Sequence, residues 1–204
     1  MCGIFALVRD DTCVSPDDIR RACSLLRYRG PDQSGYALLN GQTIGFGHNR
    51  LSIQDPNAPP QPLVDRQTGT TIIFNGEVCD LPDPAAMFFN YTWQVYDHIE
   101  IGRILTKEHD ITLTESTDTA VVLALYILYG PTAEFFCRLN GEFAFVIWDA
   151  QRKYIVAARD RFGIKPLCWY YDNTKLAFAS EVKAIASLSG VGRKLSTGNI
   201  LYLA

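Results

Sequence analysis

The start of the chain can bring a thiol and an α-amine together on one residue. If Met1 is removed from Met1-Cys2-Gly3-Ile4-Phe5, Cys2 becomes the N-terminus. An ordinary thiol titrates near ~8.5 and an α-amine near ~7.7–8.0. The amine is then a usable base close to neutral pH, beside a strong nucleophile. The apolar run from Ile4 to Val8 would hold such a terminus in a sheet. A chance Met-Cys start is the plain alternative. Three other places carry chemistry of a matching kind. Arg50, in Arg50-Leu51-Ser52-Ile53, stands where a strand runs out, and a guanidinium can grip an α-carboxylate with two hydrogen bonds. Asn75 and Gly76 offer a side-chain amide and a close-approaching backbone N–H, both able to donate to a developing oxyanion. Asp118 sits at a helix start, where its carboxylate can pair with a substrate ammonium. Each also has a structural reading: a surface arginine, an Asn-Gly turn and a helix-capping acid.

Bulk properties exclude several classes. The 204 residues are 48% hydrophobic and 20% charged, with a net charge of −3, so nothing favours nucleic acid or an anionic membrane surface. The longest apolar run, Ala120 to Tyr129, is too short to span a bilayer. The six cysteines are scattered without a C-x-x-C pair, and the three histidines (His48, His98, His109) lack metal-ligand spacing. No secretory pattern opens the chain, which gives the expectation of reduced thiols, a cytoplasmic location and no metal. Asp160-Arg161-Phe162-Gly163-Ile164-Lys165 reads as a charged loop in which Lys165 either lines a site or is solvated. Ser189-Gly190-Val191-Gly192-Arg193-Lys194 lacks phosphate-loop spacing.

The elements that must position these groups follow from patterning. Ser15 caps a helix with Pro16 at its first position and Ile19, Ala22, Cys23 and Leu26 on one face. Tyr36–Leu39 and Gln42–Leu51 form a hairpin about Asn40-Gly41. Four prolines between Gln54 and Gln67 make a loop, and Thr70–Phe74 is a strand leading into Asn75-Gly76-Glu77. The stretch 81–113 has no clean period and reads as an excursion, with Ile99–Leu105 helical. Thr119–Tyr129 is a helix ended by Gly130-Pro131. Strands at 143–149, 154–159, 168–171 and 176–179 with short polar turns predict an antiparallel sheet, followed by a helix over 181–187 and a tail that is an edge strand or linker. The class is α+β, with helices covering paired sheets.

Eight stretches taken together resemble one family. They are Met1-Cys2-Gly3-Ile4, Arg29-Gly30-Pro31-Asp32, Gly47 to Ile53, Phe74-Asn75-Gly76-Glu77, Ser116 to Thr119, Leu139 to Phe145, Arg159 to Leu167 and Phe178 to Lys183. In this order they resemble the glutamine-hydrolysing domain of asparagine synthetase, a class II glutamine amidotransferase of the N-terminal-nucleophile hydrolase superfamily. The resemblance implies a four-layer αββα sandwich of two antiparallel sheets, spanning 1–204 as one domain with an insertion at about 81–113. It implies Cys2 as nucleophile, Asn75 and Gly76 as oxyanion hole, and Arg50 on the substrate carboxylate. Glu77 and Asp118 would hold the ammonium, with backbone carbonyls near Leu51 and Ile53. L-glutamine would be the substrate, with no nucleic acid or membrane partner and with a homo-oligomer possible. Ammonia would go to a synthetase domain or subunit; that domain is expected to be absent here, since no Ser-Gly-Gly-x-Asp-Ser loop occurs. ATP and magnesium are therefore expected only there, and no cofactor in this chain. The chain departs from the pattern in three ways. Glu77 and Asp118 lie 41 positions apart, Cys79 and Ala120 stand where Tyr and Glu are usual, and Tyr28 replaces a common His. A non-catalytic regulatory relative, or an amidase with another substrate, are the competing readings.

Overall fold

The computed structural model describes residues 1–52, 59–79, 102–103, 105–107, 111, 113 and 117–192, leaving aside the side chains of 78 and 79. The apolar N-terminal run becomes β1 (Gly3–Arg9), the middle strand of a five-stranded sheet. It is covered on both faces, with Ile4 and Ala6 turned to one side and Phe5 and Leu7 to the other, all four at 0% exposure. β2 (Gln33–Leu39) and β3 (Ile44–Arg50) make the predicted hairpin, with Asn40, Gly41 and Gln42 all at positive φ. β8 (Cys168–Asp172) and β9 (Lys175–Ala179) complete the sheet in the order β2-β3-β1-β9-β8. The second sheet runs β4-β5-β6-β7, built from Leu63–Val64, Thr71–Cys79, Asn140–Asp149 and Tyr154–Arg159. Every pairing in both sheets is antiparallel.

The two sheets stack face to face over Ile4, Ala6, Ile44, Phe46, Ile73, Ala144 and Val146. On the far side of the first sheet lie α1 (Pro16–Leu26) and α4 (Val182–Ala186), packed on Phe5, Leu7 and Ala177. α1 begins as its sequence dictates, the Ser15 Oγ accepting from the Asp17 N–H at 3.2 Å. It lies close to the sheet because β3 presents glycines there: a Cβ at Gly47 would stand 2.3 Å from the Cys23 Sγ. On the far side of the second sheet lie α2 (Asp118–Tyr129) and α3 (Ala133–Arg138), packed on Ile72, Phe74, Phe143, Phe145 and Ile147. The order helix, sheet, sheet, helix is the expected αββα sandwich.

The sequence reading departs from the structure in several places. The strand read over 70–74 runs on through Asn75-Gly76-Glu77, so these residues are not the turn offered as the plain alternative but part of β5, paired with Ala144, Phe143 and Glu142 of β6 in that order. Opposing strand supplies the hydrogen bonds that an isolated Asn-Gly would seek in a turn. β4 and α3 carry no period long enough to read, at two and six residues. The excursion at 81–113 lies mostly outside the described residues; those at 102–103 and 105–107 are helical, with Leu105 buried among the side chains of α2. The tail beyond 192 also lies outside them.

Candidate active site at one end of the sandwich

β1, β3 and β5 all leave the inter-sheet core at the same end, and the sequence-predicted residues stand on their exits. Cys2 is half-buried and immediately precedes β1. Gly3 faces Asn49 across the sheet, so the same antiparallel register sets Cys2 beside Arg50. Two hydrogen bonds close the neighbouring strand onto this start: Ile4 N–H to the Ser180 Oγ at 2.9 Å and Ser180 N–H to the Ile4 carbonyl at 3.0 Å. Arg29 adds a third, its Nε donating to the Cys2 carbonyl at 3.1 Å while its Nη1 reaches Glu181 at 2.7 Å. Arg29 belongs to a recognisable stretch, but its spacing gave no hint of this contact. Cys23, by contrast, is buried so completely that its thiol is pushed up to about 12, which leaves it inert at neutral pH.

Arg50 ends β3 at 8% exposure, with its Nη1 3.3 Å from the Gln33 Oε1. The chain beyond it is pinned by Asp32, whose N–H donates to the Arg50 carbonyl at 3.0 Å and whose Oδ2 accepts from the Ser52 N–H at 2.7 Å. Leu51 is half-buried in this pinned segment; Ile53 lies outside the described residues. A cavity of about 340 Å³ lined by Arg27, Ser34, Tyr36 and Asn49 opens on the α1 face of this sheet, whereas Arg50 follows His48 and Phe46 toward the other face.

Asn75 points into the inter-sheet layer in line with Ile73. It is 2% exposed, and its Nδ2 has no hydrogen-bond partner. A buried amide donor left unpaired costs roughly 1–3 kcal/mol, so it marks a place where an acceptor is missing. The ladder also fixes where the next N–H points. Asp160 N–H donates to the Phe143 carbonyl at 2.8 Å, so Phe143 spends its backbone groups on β7. Its partner across β5, Gly76, therefore turns its N–H away from β6, toward the edge that the short β4 leaves. Only glycine fits at 76, since a Cβ there would stand 2.4 Å from the Glu142 carbonyl oxygen. Glu77 is half-buried opposite Glu142, whose charge is matched by the Lys165 Nζ at 3.1 Å. The loop that presents Lys165 is locked by the Asp160 carboxylate, which accepts from the backbone of Phe162, Ile164 and Lys165. Asp118 is the first residue of α2, after the N-cap Thr117, and is half-buried.

Two further side chains at this end escaped the sequence reading. His48, 1% exposed, faces the Phe74 backbone from the opposite sheet, and its Nε2 has no hydrogen-bond partner. Burial lowers its pKa to about 4, with the Arg50 guanidinium adding to the fall and the nearby Phe74 backbone opposing it. Gln61, in a proline-rich loop, accepts from the Phe74 N–H at 2.6 Å and donates to the Thr119 Oγ1 at 3.0 Å. No group of three or more metal-ligating side chains occurs among the described residues.

The αββα sandwich thus carries a cysteine at the head of its middle strand and, in the other sheet, a buried amide without a partner. The chain belongs to the glutamine amidotransferase domain family, whose profile matches residues 1–203. It is 33% identical over 189 residues to the glutamine-hydrolyzing asparagine synthetase 1 of Bacillus subtilis, covering 91% of this chain and 26% of that protein. It is 35% identical over 190 residues to the glutamine-hydrolyzing asparagine synthetase 2 of Oryza sativa, covering 91% and 28%. With amidase chyE of Penicillium rubens it shares 37% identity over 169 residues, covering 82% and 22%. The chain thus spans about a quarter of the length of these curated relatives. Its fold is similar to that of glutamine phosphoribosylpyrophosphate amidotransferase from Bacillus subtilis, with a TM-score of 0.67 at 18% identity, over 91% of this chain and 43% of that one. The chain is a glutamine amidotransferase domain homologous to the glutamine-hydrolysing part of asparagine synthetases, an enzyme domain that hydrolyses glutamine. No helix among the described residues is long and apolar enough to cross a membrane.

Proposed function

We propose that Cys2, exposed by removal of Met1, is the nucleophile of glutamine hydrolysis in this chain. Its thiolate attacks the side-chain carbonyl carbon of L-glutamine while its own α-amine takes the thiol proton and passes it to the departing nitrogen. Ammonia leaves and a thioester to Cys2 remains. Water then attacks that carbonyl, the C–S bond breaks, the sulfur regains its proton and glutamate is released. The observation that carries this reading is the buried, unpartnered Asn75 Nδ2 beside the outward-turned Gly76 N–H, two donors waiting for an oxyanion. Arg50 holds the substrate carboxylate. Glu77 and Asp118 hold its ammonium, together with carbonyls of the Leu51–Ile53 segment.

The ammonia passes to an acceptor reaction on a synthetase domain or subunit, the kind of protein named among the relatives, where ATP and magnesium would be bound. Residues 1–204 form the glutaminase unit, with 81–113 as an insertion, and it works in the cytoplasm. A second reading, an amidase with a different amide as substrate, draws on the likeness to amidase chyE.

Intact mass before and after a glutamine-like diazoketone tests the proposal. Loss of Met1 and a single adduct on Cys2, absent from Cys2→Ala, is expected, with glutamine turned over faster than simple amides. Retained Met1 or an unlabelled Cys2 would overturn it, and faster turnover of another amide would install the second reading.

A further inference from the structure

The second sheet ends early on one side. β4 covers only Thr71 and Ile72 of β5. Past that point the backbone groups of Phe74 face an edge that carries no strand among the described residues, one residue before Asn75. Unpaired backbone groups in a buried place are costly, so something must replace the missing strand. The structure uses a side chain: Gln61 accepts the Phe74 N–H at 2.6 Å. Gln61 does more than fill the edge. Its amide nitrogen donates at 3.0 Å to the hydroxyl of Thr119, which is 7% exposed in the first turn of α2, next to Asp118. One planar amide therefore spans from the strand that carries Asn75 and Gly76 to the helix start that carries Asp118. Because Gln61 ends as a side chain rather than a continuing strand, the next outward N–H, that of Gly76, meets no β4 partner.

We infer that Gln61 is a positioning residue for glutamine hydrolysis, setting the oxyanion donors Asn75 and Gly76 and the ammonium-holding Asp118 at a fixed separation. It touches no reacting atom; it acts through Phe74 and Thr119. The inference rests on the glutaminase reading above. It separates the two halves of the site by which bond is cut. Gln61→Met keeps the side-chain length and removes both hydrogen bonds. Thr119→Val keeps the shape of Thr119 and removes only the bond toward Asp118. Thr119→Ser keeps the hydroxyl.

Steady-state hydrolysis of L-glutamine by the 204-residue chain and its variants is the test, with amide hydrogen exchange at Phe74 and Gly76 measured alongside. A misplacement near 1 Å at a reacting centre costs on the order of 100-fold, so Gln61→Met is expected to lower kcat by about 10- to 100-fold and to raise KM. Thr119→Val is expected to raise KM while kcat stays within about twofold, and Thr119→Ser to match the wild type. Exchange at Phe74 should speed up in Gln61→Met and stay slow in Thr119→Val. A folded Gln61→Met with wild-type kcat and KM would overturn the inference, as would equal kcat losses in Thr119→Val and Gln61→Met. Unchanged exchange at Phe74 would do the same. A wild-type chain that hydrolysed no glutamine would sink the glutaminase reading itself; the exchange data would then still decide whether Gln61 holds the strand.

Discussion

Acidification should weaken this fold through one imidazole. His48 lies between the two sheets, 1% exposed, facing the Phe74 backbone and the Arg50 guanidinium. Its pKa falls from 6.5 to about 4. The unfolded chain therefore takes up a proton on His48 below pH 6.5, whereas the folded chain refuses one until about pH 4. The native state keeps its full advantage above 6.5, loses it progressively as pH falls toward 4, and loses no more to this group below that. At about 1.4 kcal/mol per unit, the gap is worth about 3 kcal/mol, a large share of the roughly 5–15 kcal/mol that holds a domain together. Asp149 and Asp160, whose pKa values are lowered by backbone and side-chain hydrogen bonds against the pull of burial, add their own losses at lower pH. A variant isolates the histidine. His48→Gln keeps a polar side chain of similar size beside Phe74 but cannot titrate. Urea unfolding of both chains from pH 7.5 to 3.5, at constant ionic strength, gives two stability curves in which the carboxylates cancel. The wild type should lose about 3 kcal/mol more than His48→Gln between pH 6.5 and 4. Curves that run parallel across that window would refute the reasoning, because they would mean the folded His48 accepts protons as readily as the unfolded one.

Three substitutions test the site itself. Asn75→Ala removes a donor that has no partner in the folded chain, so its kcat for glutamine should fall by about 100- to 1,000-fold with stability unchanged or slightly raised; a normal kcat would remove Asn75 from the oxyanion site. Gly76→Ala forces a Cβ to within 2.4 Å of the Glu142 carbonyl, and overpacking of that kind costs roughly 1–3 kcal/mol. Its unfolding midpoint should drop accordingly, and an unshifted midpoint would mean β5 and β6 can part without cost. Arg50→Ala should raise KM for glutamine far more than it lowers kcat, checked by initial rates over a wide substrate range; an unchanged KM would place the carboxylate elsewhere.

The parts of the molecule that were legible in advance are those where one local rule decides. Ile4 to Leu7 is apolar without interruption because β1 is covered on both faces, and Ser15-Pro16 starts α1 because both residues suit the first turn. Cys2 and Arg50 could be named because their chemistry needs few neighbours. Asn75-Gly76 was the harder case. The same dipeptide suits a turn or a strand interior, and only β6, more than sixty residues later, decides between them. Gln61 and His48 were out of reach for the same reason. Each acts on Phe74 from another part of the chain, and a glutamine between prolines carries no pattern that points to a strand edge.

The middle position of β1 has a consequence for how this protein is made. β1 leaves the ribosome first, yet one of its two neighbours is β9, and the Ile4 backbone is tied to Ser180 by two hydrogen bonds. At about 5–20 residues per second, roughly nine to thirty-four seconds pass between synthesis of β1 and of the strand that closes over it. During that time the head of the chain has β3 for company and an open, apolar flank on its other side. The clamp on the Cys2 carbonyl is likewise incomplete until Glu181 arrives to steady Arg29. The end of the sandwich that holds Cys2 is thus closed only once β9 and Glu181 have been made, although β1 itself precedes every other strand of the domain.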